Sequence, residues 1–105
     1  MTFVETSGFS RRVSDYLSDD EYAALQGTLT REPEKGKVIR GTGGVRKIRW
    51  GLEGRGQRGG LRVIYYYRKS KTEIWMLALY AKNETESMPA QVLKRIRETI
   101  ENVKS

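Results

Sequence analysis

Two basic side chains stand where a cation is expensive to keep. Arg62 falls inside the run Leu61–Tyr67 (L-R-V-I-Y-Y-Y), and Lys82 follows directly on the run Ile74–Ala81 (I-W-M-L-A-L-Y-A). Both runs are rich in β-branched and aromatic residues, and the connector between them is polar, so they predict a β-hairpin. At a period of two, Leu61, Val63, Tyr65 and Tyr67 share one face and Arg62, Ile64, Tyr66 and Arg68 share the other. Apolar groups on both faces predict a central strand covered on both sides. A guanidinium inside it needs a partner, as does an ammonium at the end of its neighbour. That partner is either a carboxylate of the chain, such as Glu84, or an anionic ligand. A second basic pair, Lys47 and Arg49, shares a face with Val45 in the strand expected over Val45–Leu52, whose inner face carries Arg46, Ile48, Trp50 and Leu52.

The residue types that are missing narrow the chemistry. The chain has neither histidine nor cysteine. This excludes imidazole catalysis, Ser-His-Asp triads, histidine-ligated metals, thiolate sites and disulfides. The charge is uneven. The net value is +7 over 105 residues, yet between Lys35 and Lys71 twelve Lys or Arg face one acid, Glu53. That segment carries +11 and the remainder −4. A near-neutral scaffold with one strongly basic middle points to a polyanionic partner.

These residues need a scaffold, and 105 residues suffice for one domain with a modest core. Thr2–Thr6 alternates weakly and predicts a short edge strand. Phe9, Val13, Tyr16 and Leu17 fall at helical spacing. Ser18 with Glu21 forms a capping box that starts a second helix, with Tyr22, Leu25 and Leu29 inward and an end before Pro33. These two helices are expected to lie over one sheet face. The glycine-rich segment 33–44 reads as a turn-rich loop, since it lacks phosphate-loop spacing. A second glycine-rich, cationic loop, 53–60, joins the Lys47 strand to the hairpin. The segment Thr85-Glu86-Ser87, with Pro89 in the opening turn, starts a last helix, with Val92 or Leu93, Ile96, Ile100 and Val103 as its apolar stripe. The predicted order is β-α-α-β-β-β-α, an α+β domain with a largely antiparallel sheet flanked by helices. No leader-like segment and no span-length apolar run is present, so the expected location is cytoplasmic, away from membranes.

Three segments carry a family resemblance: G-T-G-G-V-R-K-I-R-W (41–50), R-G-G-L-R-V-I-Y-Y-Y (58–67) and L-A-L-Y-A-K-N-E (77–84). Together with the opening strand and two helices, they resemble the HigB-like branch of the RelE/ParE toxins over nearly the whole chain. The resemblance implies a single toxin domain over residues 1–105, belonging to a type II toxin–antitoxin module. It also implies an mRNA interferase that enters the ribosomal A site and cuts message without a metal or other cofactor. The partners it implies are the ribosome with its mRNA and a helix-turn-helix, HigA-like antitoxin.

By position in the family pattern, Lys47 and Arg49 match the paired basic residues before the loop, and Arg62 matches the central-strand arginine at the scissile phosphate. Lys82 matches the basic group after the last strand. The resemblance then implies Lys47 as base and Lys82 as acid or phosphate clamp. A lysine acts as base only when neutral, and the neighbouring Arg49 and Arg62 favour that form. Arg46, Arg55, Arg58, Arg68, Asn83, Tyr66 and Tyr80 are the expected RNA contacts. Asn83 replaces an arginine of the RelE pattern, and no tyrosine opens the last helix. Two other functions fit parts of the chain: a ParE-like toxin acting on gyrase, and a basic RNA-binding module without catalysis. The cluster of Lys47, Arg49, Arg62 and Lys82 argues against the first, and the basic middle with its tyrosines is compatible with the second.

Overall fold

A computed structural model of the chain describes residues 1–51, 60–82, 84 and 88–103. The elements run β1 (Thr2–Glu5), α1 (Ser7–Tyr16), α2 (Asp19–Arg31), β2 (Lys37–Val38), β3 (Arg46–Trp50), β4 (Leu61–Arg68), β5 (Glu73–Ala81) and α3 (Ala90–Glu101), with a 3-10 turn at Lys69–Lys71. The five strands form one sheet in the order β1-β5-β4-β3-β2. β1 pairs parallel to β5, and the other pairings are antiparallel. The α+β expectation holds, with one addition. The 33–44 segment, expected as loop, contributes the two-residue edge strand β2.

Two apolar layers sandwich the sheet. On one face Ile48, Leu61, Val63, Tyr65, Ile74, Met76 and Leu79 pack with Phe9 and Leu17 of the first helical segment and with Leu25 and Leu29 of α2. On the other, Val45, Ile64, Tyr66 and Leu77 pack with Leu93 and Ile100 of α3. β4 therefore lies at the centre with both faces covered over most of its length, as its β-branched and aromatic content demands. α2 starts on the expected capping box, Ser18 and Glu21 satisfying each other's backbone N–H groups. Gly60 brings the chain into β4 where no other residue fits. Its φ is +57°, and a Cβ there would lie 2.2 Å from the Trp50 carbonyl oxygen.

β5 carries a bulge. Ile64 pairs with Ala78 and Tyr65 with Met76, which leaves Leu77 as an extra residue. Leu77 and Ala78 consequently both face α3. The carbonyls at the bulge are held by Thr6, whose N–H donates to Met76 O (3.1 Å) and whose hydroxyl donates to Leu77 O (2.9 Å). Strict alternation would place Tyr80 with Ile74 and Met76. The bulge moves it to the α3 face, opposite Arg62.

Three boundaries differ from expectation. β3 is shorter than Val45–Leu52, and Leu52 lies outside the described residues, as does loop 53–59. α3 begins at Ala90, after Pro89. Val103 falls past the end of α3 and is 38% exposed, so the stripe ends at Ile100. Among the described residues no helix is long and apolar enough to cross a membrane.

Candidate functional site

The α3 face of the sheet has a covered end and an open end. At the open end β3, β4 and β5 place Arg49, Arg62 and Tyr80 in one row, each the direct partner of the next across the strands. Directly opposed residues share a face, with Cβ atoms about 4.5–5.5 Å apart. Arg49 is exposed, while Arg62 and Tyr80 are half-buried. The next row is Lys47, Ile64 and Ala78. Lys47 thus shares a face with Arg49 and lies one pleat repeat, about 6.8 Å, away along the strand. Lys82 follows β5 two residues beyond Tyr80, in an exposed turn. Among the described residues no carboxylate pairs with Lys47, Arg49 or Lys82. The row therefore sets two guanidiniums side by side with an amine and a phenol in reach, a surface suited to gripping phosphate oxygens and stacking a base.

The end of β5 is anchored by Glu84. Its Oε1 accepts from the Ala81 N–H (2.6 Å) and from the Tyr16 hydroxyl (2.6 Å). Arg12 donates to Tyr16 Oη (2.7 Å) and lies 3.4 Å from Glu84 Oε2, its guanidinium 5.5 Å from the Tyr16 ring centre. The Tyr16 hydrogen bond, aided by the Ala81 N–H, lowers the Glu84 carboxyl below its ordinary value. Burial, then the Glu84 carboxylate, raises the Tyr16 phenol. This carboxylate, expected as a structural partner for Arg62, instead ties the turn bearing Lys82 to α1. Sequence reasoning missed Tyr16 and Arg12 in this role. Their i, i+4 spacing on α1 is the one signal that marks them as a pair.

Three expected RNA contacts lie elsewhere. Arg68 is 4% exposed beneath the C-terminal end of α3. It bridges Glu73 at 3.3 Å and donates to the carbonyls of Glu101 (3.3 Å) and Val103 (2.8 Å). Tyr66 is buried in the same layer and donates to Glu101. Burial and then that carboxylate raise its phenol. Arg46 points to the opposite sheet face, where it donates to the carbonyls of Glu34 (3.0 Å) and Gly36 (2.7 Å) and bridges the Glu34 carboxylate at 3.6 Å. All three make contacts that hold the scaffold together. Their strand positions were read correctly, but apart from Glu73, across the hairpin turn from Arg68, their partners come from distant parts of the chain. Arg55, Arg58 and Asn83 lie outside the described residues.

No protein-family model matches the chain. Among solved structures it is similar to E. coli toxin RelE, in a mutant with two arginines replaced by alanine and in the free state. The identity is 16% over 91% of this chain and 95% of that one, with a TM-score of 0.55. At that identity the likeness is one of architecture, and the chain has the RelE-like fold.

Proposed function

We propose that this chain is the toxin of a type II toxin–antitoxin module, of the HigB-like kind, and that it cuts mRNA in the ribosomal A site. The observation that carries the reading is the Arg49–Arg62–Tyr80 row at the open end of the sheet, with Lys47 beside it, on a RelE-like fold. Cleavage joins the 2′-oxygen to phosphorus and breaks the bond from phosphorus to the 5′-oxygen. The 2′-hydroxyl proton must be taken up, the phosphorane charge held and the departing 5′-oxygen protonated. Without histidine, the side chains for those tasks are Lys, Arg, Tyr and carboxylates. Lys47 takes the 2′-proton. Arg62 with Arg49 holds the phosphorane oxygens, and Lys82 supplies the proton to the 5′-oxygen or clamps the phosphate. Tyr80 offers its ring to a base.

The residues of the row are strand residues on a shallow surface, so the ribosome must orient the scissile phosphate. Its partner in the resting cell is a helix-turn-helix, HigA-like antitoxin, and the site of action is the cytoplasm. The test is expression of the chain alone in bacteria, with translation and DNA synthesis followed separately and message mapped for cuts on the ribosome. Translation arrest with ribosome-dependent cuts supports the proposal. Halted DNA synthesis with gyrase-linked breaks means a ParE-like toxin, and neither outcome leaves a binding module.

A further inference from the structure

β2 is only two residues long, yet its register sets two lysines face to face. Lys37 is the direct partner of Lys47, and both are exposed. Opposed residues of an antiparallel pair point the same way, and like charges there repel. The face they share is the one that carries Arg49 and Arg62. Among the described residues no carboxylate pairs with Lys37, Lys47 or Arg49. The repulsive arrangement is nonetheless held firmly from beneath. Besides the Arg46 contacts to Glu34 and Gly36, the Tyr65 hydroxyl accepts from Gly36 N–H (2.9 Å) and donates to Pro33 O (2.8 Å). These bonds fix the segment that leads into Lys37. A lysine on an edge strand also deters edge-to-edge pairing. That task is met by an ammonium anywhere along the edge and gives no reason for a second lysine opposite it. Two ammoniums fixed side by side suit a shared anion.

We infer that Lys37 and Lys47 form a second phosphate-binding site, which takes a backbone phosphate of single-stranded RNA neighbouring the one held at Arg49 and Arg62. The identity of the anion as RNA rests on the proposed function. One strand spacing across and one pleat repeat along put the two cationic pairs about 8 Å apart, so they follow a backbone rather than clamp one phosphate. Lys47 belongs to both stations, which gives the strand a direction across β4, β3 and β2.

The test is binding of a short single-stranded oligoribonucleotide over a salt series, with urea denaturation of the same proteins. Lys37→Ala should weaken binding and lower the slope of log affinity against log salt by about 0.7, the value for one phosphate contact on a single strand. Its denaturation midpoint should hold or rise, because a like-charge pair has been removed. Lys71→Ala removes the same charge from the exposed 3-10 turn at the other end of the hairpin and should leave the slope unchanged. An unchanged slope in Lys37→Ala, or an equal loss in Lys71→Ala, overturns the inference. So does a Lys37→Ala protein that binds RNA normally but self-associates, since Lys37 is then only an edge guard. If the unaltered protein cuts no message on the ribosome while Lys37→Ala still lowers the slope, the nuclease reading fails and the phosphate site stands.

Discussion

Arg62 and Arg68 lie on the same face of β4, six residues apart, and α3 separates their fates. At the Arg68 end the C-terminal turn of the helix closes over the strand. The guanidinium there is 5% exposed, meets the carboxylates of Glu73 and Glu101, and donates to the carbonyls of Glu101 and Val103 at and just past the helix end. A cation in that place also complements the negative end of the helix dipole. At the Arg62 end the strand surface opens, and its neighbours across the sheet are Arg49 and Tyr80. A basic residue within an apolar strand is therefore no sign of function by itself. What distinguishes the two ends is the surroundings: at Arg68 α3 buries the guanidinium against acids and carbonyls, and at Arg62 the sheet gathers a second guanidinium and a phenol beside it.

The sharpest way to break the comparison is to exchange the expected phenotypes. Arg68→Ala leaves the Glu73 carboxylate, itself 14% exposed, without its cation and frees the carbonyls of Glu101 and Val103. Removing one partner of a buried ion pair costs about 3–5 kcal/mol, read as a fall in urea midpoint. Cleavage per folded molecule should survive. The double variant Arg68→Met with Glu73→Leu should recover much of the loss, since a packed apolar pair avoids the desolvation cost. A normal midpoint for Arg68→Ala would show that α3 docks without this lock.

Arg62→Ala should behave in the opposite way. Loss of one contact to a charge that develops in the transition state costs on the order of 10²–10³ in rate, so growth arrest should vanish while antitoxin binding and the thermal melt persist. Arg62→Lys should also largely fail, because an ammonium lacks the planar two-point grip on phosphate oxygens. A folded, fully active Arg62→Ala sinks the role assigned to it.

How much of this contrast was legible beforehand depends on range in sequence. The faces of β4, the capping box at Ser18 and the stripe of α3 as far as Ile100 are local patterns, and each was readable from period and composition. The destinies of Arg46 and Tyr66, and the docking of Arg68 under α3, were not, because those partners lie 10 to 35 residues away. β2 was unreadable for a similar reason. Two residues carry no period, and only the register against β3 makes Lys37 the partner of Lys47. The bulge at Leu77 left no trace either, since an extra leucine in an apolar run looks like any other. Yet it is what turns Tyr80 toward Arg62.

A smaller effect is expected at the other support of the open end, Glu84. Glu84→Gln keeps the shape but weakens the contacts with Tyr16 and Arg12, which loosens the turn that carries Lys82. Cleavage should fall by less than in Arg62→Ala, in the rate at saturation more than in ribosome affinity. The effect has a pH signature. Because the folded carboxyl titrates below its ordinary value of 4.5, its contribution to stability is present in full above that value. It is lost as pH falls through the lower, folded value. The melting temperatures of the native protein and Glu84→Gln should therefore differ near neutral pH and converge in strong acid. A gap that stays constant down the pH scale would assign the effect to packing instead of charge.

The smallest effect is expected at Thr6, which serves the bulge from the covered side of the comparison. Its hydroxyl oxygen accepts from the Phe9 N–H (3.2 Å) as the N-cap of α1, while its proton goes to the Leu77 carbonyl (2.9 Å). Thr6→Ala removes both bonds, and losing such a cap costs about 0.5–2 kcal/mol. For a domain near this size each 1 kcal/mol is worth roughly 4–8 °C in melting temperature. The bulge itself should persist, because the Thr6 N–H still donates to Met76 O and the pairing of β4 with β5 on either side is unchanged. Tyr80 then keeps its place beside Arg62, and cleavage per folded molecule should match the native protein. Thr6→Ser retains the hydroxyl and should restore most of the stability. If Thr6→Ala loses cleavage while its melting temperature holds, the hydroxyl rather than the strand register aims Tyr80, and the open end is less independent of its supports than the Arg62–Arg68 contrast implies.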